Sequence, residues 1–366
     1  MYYKGENPLK GFLVKKHSNF YYVKNNLNVL YECMLRERLK KEDVEVLVGD
    51  IVAIDEVNEE TRQAVITRIY PRKTCITRPH LANMEQNVII MALNKPRLNL
   101  NQLDRFLVHT RLSGLDRVIC INKCDLKDKN NTLKTIREIY EPLEISIIEV
   151  SALNKTGLER LLDVLKGKRS IFSGPSGVGK STILNAIKPE LNLRVGKIGS
   201  KSNKGTHTTR HSELIEIFSE NDQIAIVADT PGFSYLKFDK YLPAQIEAQF
   251  PEFLSFKNDC YYSDCLHINE TDCNVKANLD KISPTRYENY CRFIAEALEY
   301  KSLLYSTSSK DEGKVKTVDR SGQEQVKRLK LGHNLVDPSR KKSKQDLSKY
   351  KYDESFEEDI DDNFCE

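Results

Sequence analysis

Residues 174–181 read Gly174-Pro175-Ser176-Gly177-Val178-Gly179-Lys180-Ser181, which satisfies the pattern GxxxxGK[ST] at every fixed position. The loop follows the strand-like run RSIFS and opens the helix-like run STILNAI, the strand–loop–helix setting in which the pattern has physical meaning. Its glycines let successive backbone N–H groups turn inward around phosphates at a helix N-terminus. Lys180 is placed to neutralise the β- and γ-phosphates, and the Ser181 hydroxyl to bind magnesium, with Thr182 beside it in the first helical turn. The stretch is a nucleotide site.

The residues around it alternate between buried-strand and helical runs. NVIIMAL, LDRFLVHTRLSGL, RVICIN, TLKTIREIYEPL, SIIEVSA, GLERLLDVL, RSIFSG, KSTILNAI and QIAIVADT follow one another between about 85 and 240. Such alternation predicts a mostly parallel sheet flanked by helices. The first 80 residues differ: FLVKK, NFYYV, VLYECML, DIVAIDEV and QAVITRIY are five short apolar or alternating runs between polar turns. They predict a small barrel of the OB type, used for nucleic-acid or protein contacts. Tyr21, Tyr22 and Lys24 are candidates for an RNA face, with barrel core the competing place for the aromatics. The expected organisation is an OB barrel over 1–80, an α/β nucleotide domain over 81–240, a small metal-binding and mainly helical domain over 241–305, and a charged tail over 306–366.

Which nucleotide is bound follows from Asn122-Lys123-Cys124-Asp125, at the end of the apolar run RVICI. The Asp125 carboxylate can accept from the guanine N1–H and exocyclic N2–H; adenine offers neither and would leave a desolvated carboxylate unpaired. Asn122 can brace the pocket, and the Lys123 stem can cover the base plane. SIIEV ends at Ser151-Ala152, small residues that let a backbone N–H approach the guanine O6. Cys124 reads as a packed bystander. After IAIVA comes Asp229-Thr-Pro-Gly232, with Asp229 suited to magnesium through water and the Gly232 N–H to the γ-phosphate. Between the two phosphate-side motifs lies Gly205-Thr-His-Thr-Thr209, where Thr209, or else Thr208, can complete the magnesium shell.

Cys260-x4-Cys265-x-His267-x5-Cys273 offers three thiolates and one imidazole within fourteen residues of otherwise polar sequence. A Cys3His set suits tetrahedral zinc with no open coordination position. Nine cysteines, three of them in this cluster and the rest scattered, are not a disulfide framework and fit a reducing compartment.

In an ordinary GTPase the phosphate loop comes first and the NKxD and SA motifs last; here the loop at 174 follows NKCD at 122 and SA at 151. The cyclic order is kept with a moved starting point, which is tolerated because all these loops gather at one edge of a sheet. Over about residues 10–300 the chain resembles the family of ribosome small subunit-dependent GTPases, RsgA or YjeQ. The resemblance rests on VGDIVAI, LDRFL, NKCD, SAL, GPSGVGKS, GTHTTR, DTPGF and the cysteine cluster, in this order. It implies an N-terminal OB-fold, a circularly permuted GTPase domain and a C-terminal zinc domain. It also implies GTP hydrolysis late in small-subunit assembly, slow alone and stimulated by the subunit and its rRNA. By its place in GTHTT, His207 is the residue expected to orient the attacking water, with a structural or RNA-contacting role as the alternative. Phe233 stands where signalling GTPases carry a water-orienting glutamine, and Gly177 where potassium-activated relatives carry asparagine.

The other expectations are coarser. The net charge of +4 permits RNA binding without demanding it; lysine and arginine crowd Lys314 to Lys351, while Asp353 to Asp362 is mostly acidic. The tail over 306–366 reads as solvated and disordered, or as a basic arm on RNA. No apolar run reaches the roughly 20 residues of a membrane helix, and the first residues lack the apolar core of a secretory leader, so a cytoplasmic, membrane-free monomer is expected. The competing functional reading is a nucleotide-regulated adaptor for a protein partner, unresponsive to rRNA.

Overall fold

The computed structural model describes residues 8–42, 44–77, 79–193, 213–220, 223–229, 236–310, 315–318 and 324–327. The chain forms two compact units, residues 1–236 and 237–366.

The first unit opens with the five expected barrel strands: β1 (Leu9–His17), β2 (Phe20–Asn25), β3 (Leu30–Leu35), then after helix α1 (Glu37–Lys41) β4 (Ile51–Asn58) and β5 (Gln63–Ile69). Side chains alternate across a strand, so Tyr21 and Val23, Tyr31 and Cys33, and Val52 and Ile54 fall inside with Leu13 and Ile66. The antiparallel pairing of β1 with β4 closes the barrel, Gly11 lying opposite Val52. Gly11 is required there, because a Cβ would stand 2.3 Å from Val23 Cγ1. Asp50, fully buried, accepts from Leu47 N (2.8 Å) and from both Arg72 Nε (2.7 Å) and Nη2 (2.9 Å). A hairpin of β6 (Cys75–Thr77) and β7 (His80–Ala82) follows.

The nucleotide domain is built on β8 (Gln86–Ala92), α2 (Leu100–Leu112), β9 (Asp116–Asn122), α3 (Thr132–Tyr140), β10 (Ser146–Glu149), α4 (Leu158–Leu165), β11 (Arg169–Ser173), α5 (Lys180–Ile187), β12 (Glu213–Glu220) and β13 (Gln223–Asp229). Strands β10-β9-β8-β11-β13 run parallel in that order. Every residue of β8 is buried, as a strand covered on both faces must be. Val88, Ile90 and Ala92 pack with α4 and α5 through Leu158, Leu161, Leu165, Ile183 and Leu184. Ile89, Met91 and Leu93 pack with α2 and α3 through Leu103, Phe106, Leu107, Ile136 and Tyr140. Each Val, Leu, Ile, Met or Phe side chain among them contributes about 1.5–3 kcal/mol by leaving water.

Strand β12 was not foreseen. It runs antiparallel to β13 and meets β1 at the pair Lys15–Glu213, so barrel and nucleotide sheet are one continuous sheet. Lys15 reaches Glu213 at 2.9 Å and Lys24 pairs with Glu216. These pairs are partly exposed and contribute under about 1 kcal/mol each.

The second unit contains α6 (Pro243–Glu247), α7 (Leu254–Lys257), α8 (Asn274–Ala277) and the long α9 (Pro284–Lys310). Aromatic rings make its core: Phe238 lies 4.7 Å from Phe293, and Phe250 and Phe253 lie 4.9 and 4.7 Å from Tyr290. Arg286 and Glu252 form a buried ion pair at 2.8 Å, the guanidinium 4.5 Å from the Phe250 ring. In the tail the backbone pairs β14 (Val315–Val318) with β15 (Glu324–Lys327). Among the described residues no helix is long and apolar enough to cross a membrane.

Candidate nucleotide site and metal centre

Strands β9, β10 and β11 end at one edge of the parallel sheet, and the loops that leave them carry NKCD, SA and GPSGVGKS. The side chain of Asn122, 2% exposed at the end of β9, binds the other two motifs. Its Nδ2 donates to Val178 O at 2.8 Å, and its Oδ1 accepts from Ala152 N at 3.2 Å. Gly179 makes room for it: φ is +97° and a Cβ would stand 2.4 Å from Asn122 Nδ2. Gly174, with φ +139°, lies so close to Ile90 O that a Cβ would approach it to 2.0 Å.

Lys123 adopts φ +64° and its Nζ donates to Gly177 O at 2.7 Å and to Lys95 O, which lays its stem beside the loop. Burial lowers the ammonium below the ordinary lysine range, and Asp125 offsets part of that. The exposed Asp125 carboxylate accepts from Ser151 Oγ at 2.5 Å, while Ser151 Oγ accepts from Asn154 N at 3.1 Å. The carboxylate is thereby aimed by a buried hydroxyl. The Ala152 N–H, expected to face the guanine O6, already goes to Asn122 Oδ1, so a base oxygen there would share it. Cys124 packs in the apolar cluster with Ile121 and Ile136; burial pushes its thiol up to about 11, with the nearby carboxylates adding to it, so it is no nucleophile at neutral pH.

In the phosphate loop, Lys180 Nζ donates to Gly174 O and Pro175 O, both at 2.7 Å. Lys180, Ser181 and Thr182 form the first turn of α5, with Pro175, Ser176, Gly177 and Val178 preceding it. Asp229 ends β13, paired through its backbone with Glu213. His207, Thr208, Thr209, Gly232 and Phe233 lie outside the described residues.

Of the barrel candidates, Tyr21 belongs to the core; Tyr22 donates to Glu32 at 3.1 Å, and Lys24 is held by Glu216.

In the second unit Cys260, Cys265, His267 and Cys273 bring their ligand atoms within 4.8 Å of one another. Cys260 Sγ lies 3.9 Å from Cys273 Sγ, and His267 Nδ1 lies 3.7 and 3.4 Å from those two sulfurs. A tetrahedral centre with metal–sulfur bonds of about 2.3 Å puts its sulfurs about 3.8 Å apart, so the donor set fits one metal ion. Burial raises the Cys265 and Cys273 thiols, an environment that favours bare thiolate only when a cation neutralises it.

The elements around the cluster were not visible in its spacing. His267 is buried at φ +60°; its Nε2 has no hydrogen-bond partner among the described residues, and Glu247 Oε1 lies 3.6 Å from it. Metal on Nδ1 would leave the Nε2 proton facing that carboxylate. Despite burial, which works the other way, the His267 and Lys257 side chains hold the Glu247 carboxyl below its usual range. Glu270 accepts from Leu266 N (2.8 Å), Ile268 N (2.9 Å) and Asn269 N (3.1 Å), and Tyr287 and Tyr290 hydroxyls bond His267 O and Leu266 O. The turn that presents the histidine is therefore fixed from both sides.

Comparison with known proteins agrees with this architecture. The family described as RsgA GTPase matches residues 69–239, and the RsgA N-terminal domain matches residues 10–66. The small ribosomal subunit biogenesis GTPase RsgA of Alkaliphilus metalliredigens is 40% identical over 289 residues, covering 78% of this chain and 97% of that protein. Its counterpart from Geobacillus sp. (strain WCH70) is 38% identical over 296 residues, covering 80% and 98%. The crystal structure of YjeQ from Thermotoga maritima superposes with a TM-score of 0.68 at 33% identity, covering 79% of this chain and 98% of that one. YloQ, titled a circularly permuted GTPase, superposes with a TM-score of 0.67 at 28% identity over 82% and 98%. Rotated motif order, barrel, sheet and sequence identity agree, and the chain belongs to the RsgA GTPase family.

Proposed function

We propose that this chain hydrolyses GTP to GDP and phosphate during late maturation of the small ribosomal subunit, at a rate raised by that subunit. The observation that carries the reading is the pair of hydrogen bonds at Asn122, which donates to Val178 O and accepts from Ala152 N, and so gathers base-reading and phosphate-reading loops into one site. Within it, Asp125 reads guanine and Lys123 covers the base plane. The phosphate loop from Gly174 to Thr182 holds the phosphates, and Ser181, Thr209 and Asp229 serve magnesium. Gly232 meets the γ-phosphate, Lys180 neutralises it, and His207 orients water. Hydrogen-bond donors and cations fixed before the substrate arrives are what phosphoryl transfer requires.

The reading assigns the barrel over 1–80 and the metal domain over 241–305 to rRNA, with residues 81–240 timing the encounter. Zinc is the ion that a Cys3His set of this geometry favours. The relatives' names support the ribosomal subunit as partner; the reading keeps the chain a cytoplasmic monomer.

Turnover of GTP and of ATP, each with and without purified small subunits, tests the reading. GTP-selective turnover raised at least about tenfold by the subunit is expected, a barrier lowering of about 1.4 kcal/mol. GTP-selective turnover without any rise, on intact cognate subunits, would replace it with the protein-adaptor reading.

A further inference from the structure

The loops that leave β8, β9 and β10 beside the phosphate loop, residues 93–99, 123–131 and 150–157, carry six cations and two carboxylates. Both carboxylates are engaged within the chain. Asp125 accepts from Ser151 Oγ, and Asp128 accepts from Thr132 N and Leu133 N, both at 2.9 Å, at the start of α3. Among the cations, Lys123 is engaged through Gly177 O and Lys95 O. The other five, Lys95, Arg97, Lys127, Lys129 and Lys155, are exposed, and their side chains form no ion pair among the described residues.

The opposite edge of the same sheet is different. There Arg169 pairs with Glu85 at 3.1 Å, Lys168 with Asp116 at 3.8 Å and Lys166 with Asp163 at 2.8 Å. Positive charge is balanced at that edge and left unbalanced at the edge of the nucleotide loops. Like charges gathered without counter-charges repel one another, so a polyanion is what would stabilise them. Lys95 and Lys155 also hold left-handed backbones, φ +54° and +56°, which glycine adopts freely and a side chain disfavours. Their loops are fixed nonetheless. Lys95 N donates to Asn94 Oδ1 at 2.9 Å, and Ser151 and Thr156 exchange two main-chain bonds, at 3.0 and 3.1 Å, around Lys155.

We propose that these five exposed cations form a docking surface for the phosphate backbone of RNA at the rim of the nucleotide site. The surface rests on the reading that ribosomal RNA is the partner, and it names where that RNA meets the nucleotide domain. A phosphate chain suits it, because backbone charges recur at short intervals and are met by cations without base-specific geometry. The phosphates of the nucleotide are served separately, by the loop from Gly174 to Thr182 and by Lys180. A docked RNA is also connected to that loop: Lys95 O, Lys123 Nζ and Gly177 O form one chain of hydrogen bonds from the rim to the phosphate site.

The test compares K95Q/R97Q/K155Q with K134Q/K166Q/K168Q, which removes the same charge elsewhere in the domain, both in the full chain with thermal melts alongside. Binding to purified small subunits is measured at several salt concentrations with a non-hydrolysable GTP analogue present. The first triple is expected to lose at least about tenfold in affinity and about two from the slope of log affinity against log salt, at about 0.7–0.9 per phosphate contact. The second is expected to stay within about twofold, and K95R/K155R, which keeps the charge, to bind as the wild type does. GDP and GTP-analogue affinities without subunits should stay within about twofold throughout. Equal losses in the two triples overturn the proposal. So does lost nucleotide affinity with subunit binding intact, which gives the surface to the nucleotide. A loss on subunits that is absent on deproteinised rRNA gives it to a subunit protein and overturns the RNA assignment. Should the first triple not fold, K95Q/K155Q against K134Q/K168Q is read in the same way. Wild-type chain that binds no subunits removes the partner reading as well; wild-type binding with equal triples removes this proposal alone.

Discussion

Asn122 Nδ2 donates to the main-chain oxygen of Val178 at 2.8 Å across 56 residues of sequence. The bond makes the guanine-reading loop and the phosphate loop a single structural object, so damage to either is expected to be felt by the whole nucleotide.

Gly179→Ala tests that coupling. The new Cβ would meet Asn122 Nδ2 at 2.4 Å from a backbone at φ +97°, so both the side-chain bridge and the turn are disturbed. We expect GDP and GTP affinities to fall together by at least tenfold, about 1.4 kcal/mol. Titration with a fluorescent guanine nucleotide measures it, and wild-type affinity would refute the coupling.

Asp125→Asn addresses the base. The amide keeps one oxygen to accept from a ring N–H but presents an NH2 where guanine also presents an NH2. The loss of GTP affinity should be about a hundredfold or more. Xanthine carries an oxygen at that position, so the variant should prefer the xanthosine nucleotide. Competition between the two triphosphates reads the preference; continued selection of GTP would remove Asp125 from the role proposed for it.

The metal centre makes a stoichiometric and a pH-dependent prediction. Elemental analysis should find one ion per chain, released by a strong chelator with loss of structure in the second unit. Affinity should fall as pH falls, because protons compete for the three thiolates and the imidazole, and rise again as pH is raised. Glu247→Gln keeps the shape beside His267 Nε2 but removes its charge, and should weaken metal binding about 10- to 100-fold. Unchanged metal affinity in that variant would make Glu247 a mere neighbour.

Arg72→Ala leaves the fully buried Asp50 carboxylate with only its Leu47 N–H partner. Because Arg72 itself is 25% exposed, the cost belongs at the low end for a broken buried pair, about 3 kcal/mol. It should appear as a lower denaturation midpoint, with the GTP-to-GDP affinity ratio unchanged. A shift below about 0.5 kcal/mol would mean that water or another group takes over the carboxylate.

The first 80 residues and the alternating core were readable because their information is periodic and local. Period-two alternation marks the five barrel strands, each with one face to bury, without knowledge of their partners. β8 announces its burial on both faces by an unbroken apolar run. The phosphate loop is likewise contained in consecutive residues, and so is the metal set, whose four ligands lie within one short run.

What the sequence could not settle depends on where distant segments meet. Strand β12 alternates poorly, and its pairing with β1 exists only because the barrel closes beside the nucleotide sheet. Tyr21 and Tyr22 are neighbours of one type; only closure of β1 on β4 decides that the first is core and the second surface. Glu247 meets His267, Asp50 meets Arg72, and Arg105 meets Leu236 through packing that no spacing encodes. His207, Thr208, Thr209 and Gly232 fall outside the described residues and keep the roles that their motifs suggest. Motif chemistry is written in consecutive residues, whose separation the covalent chain limits. Ion pairs, second partners and strand neighbours are chosen among many distant candidates, and the choice follows from burial, which belongs to the folded chain as a whole.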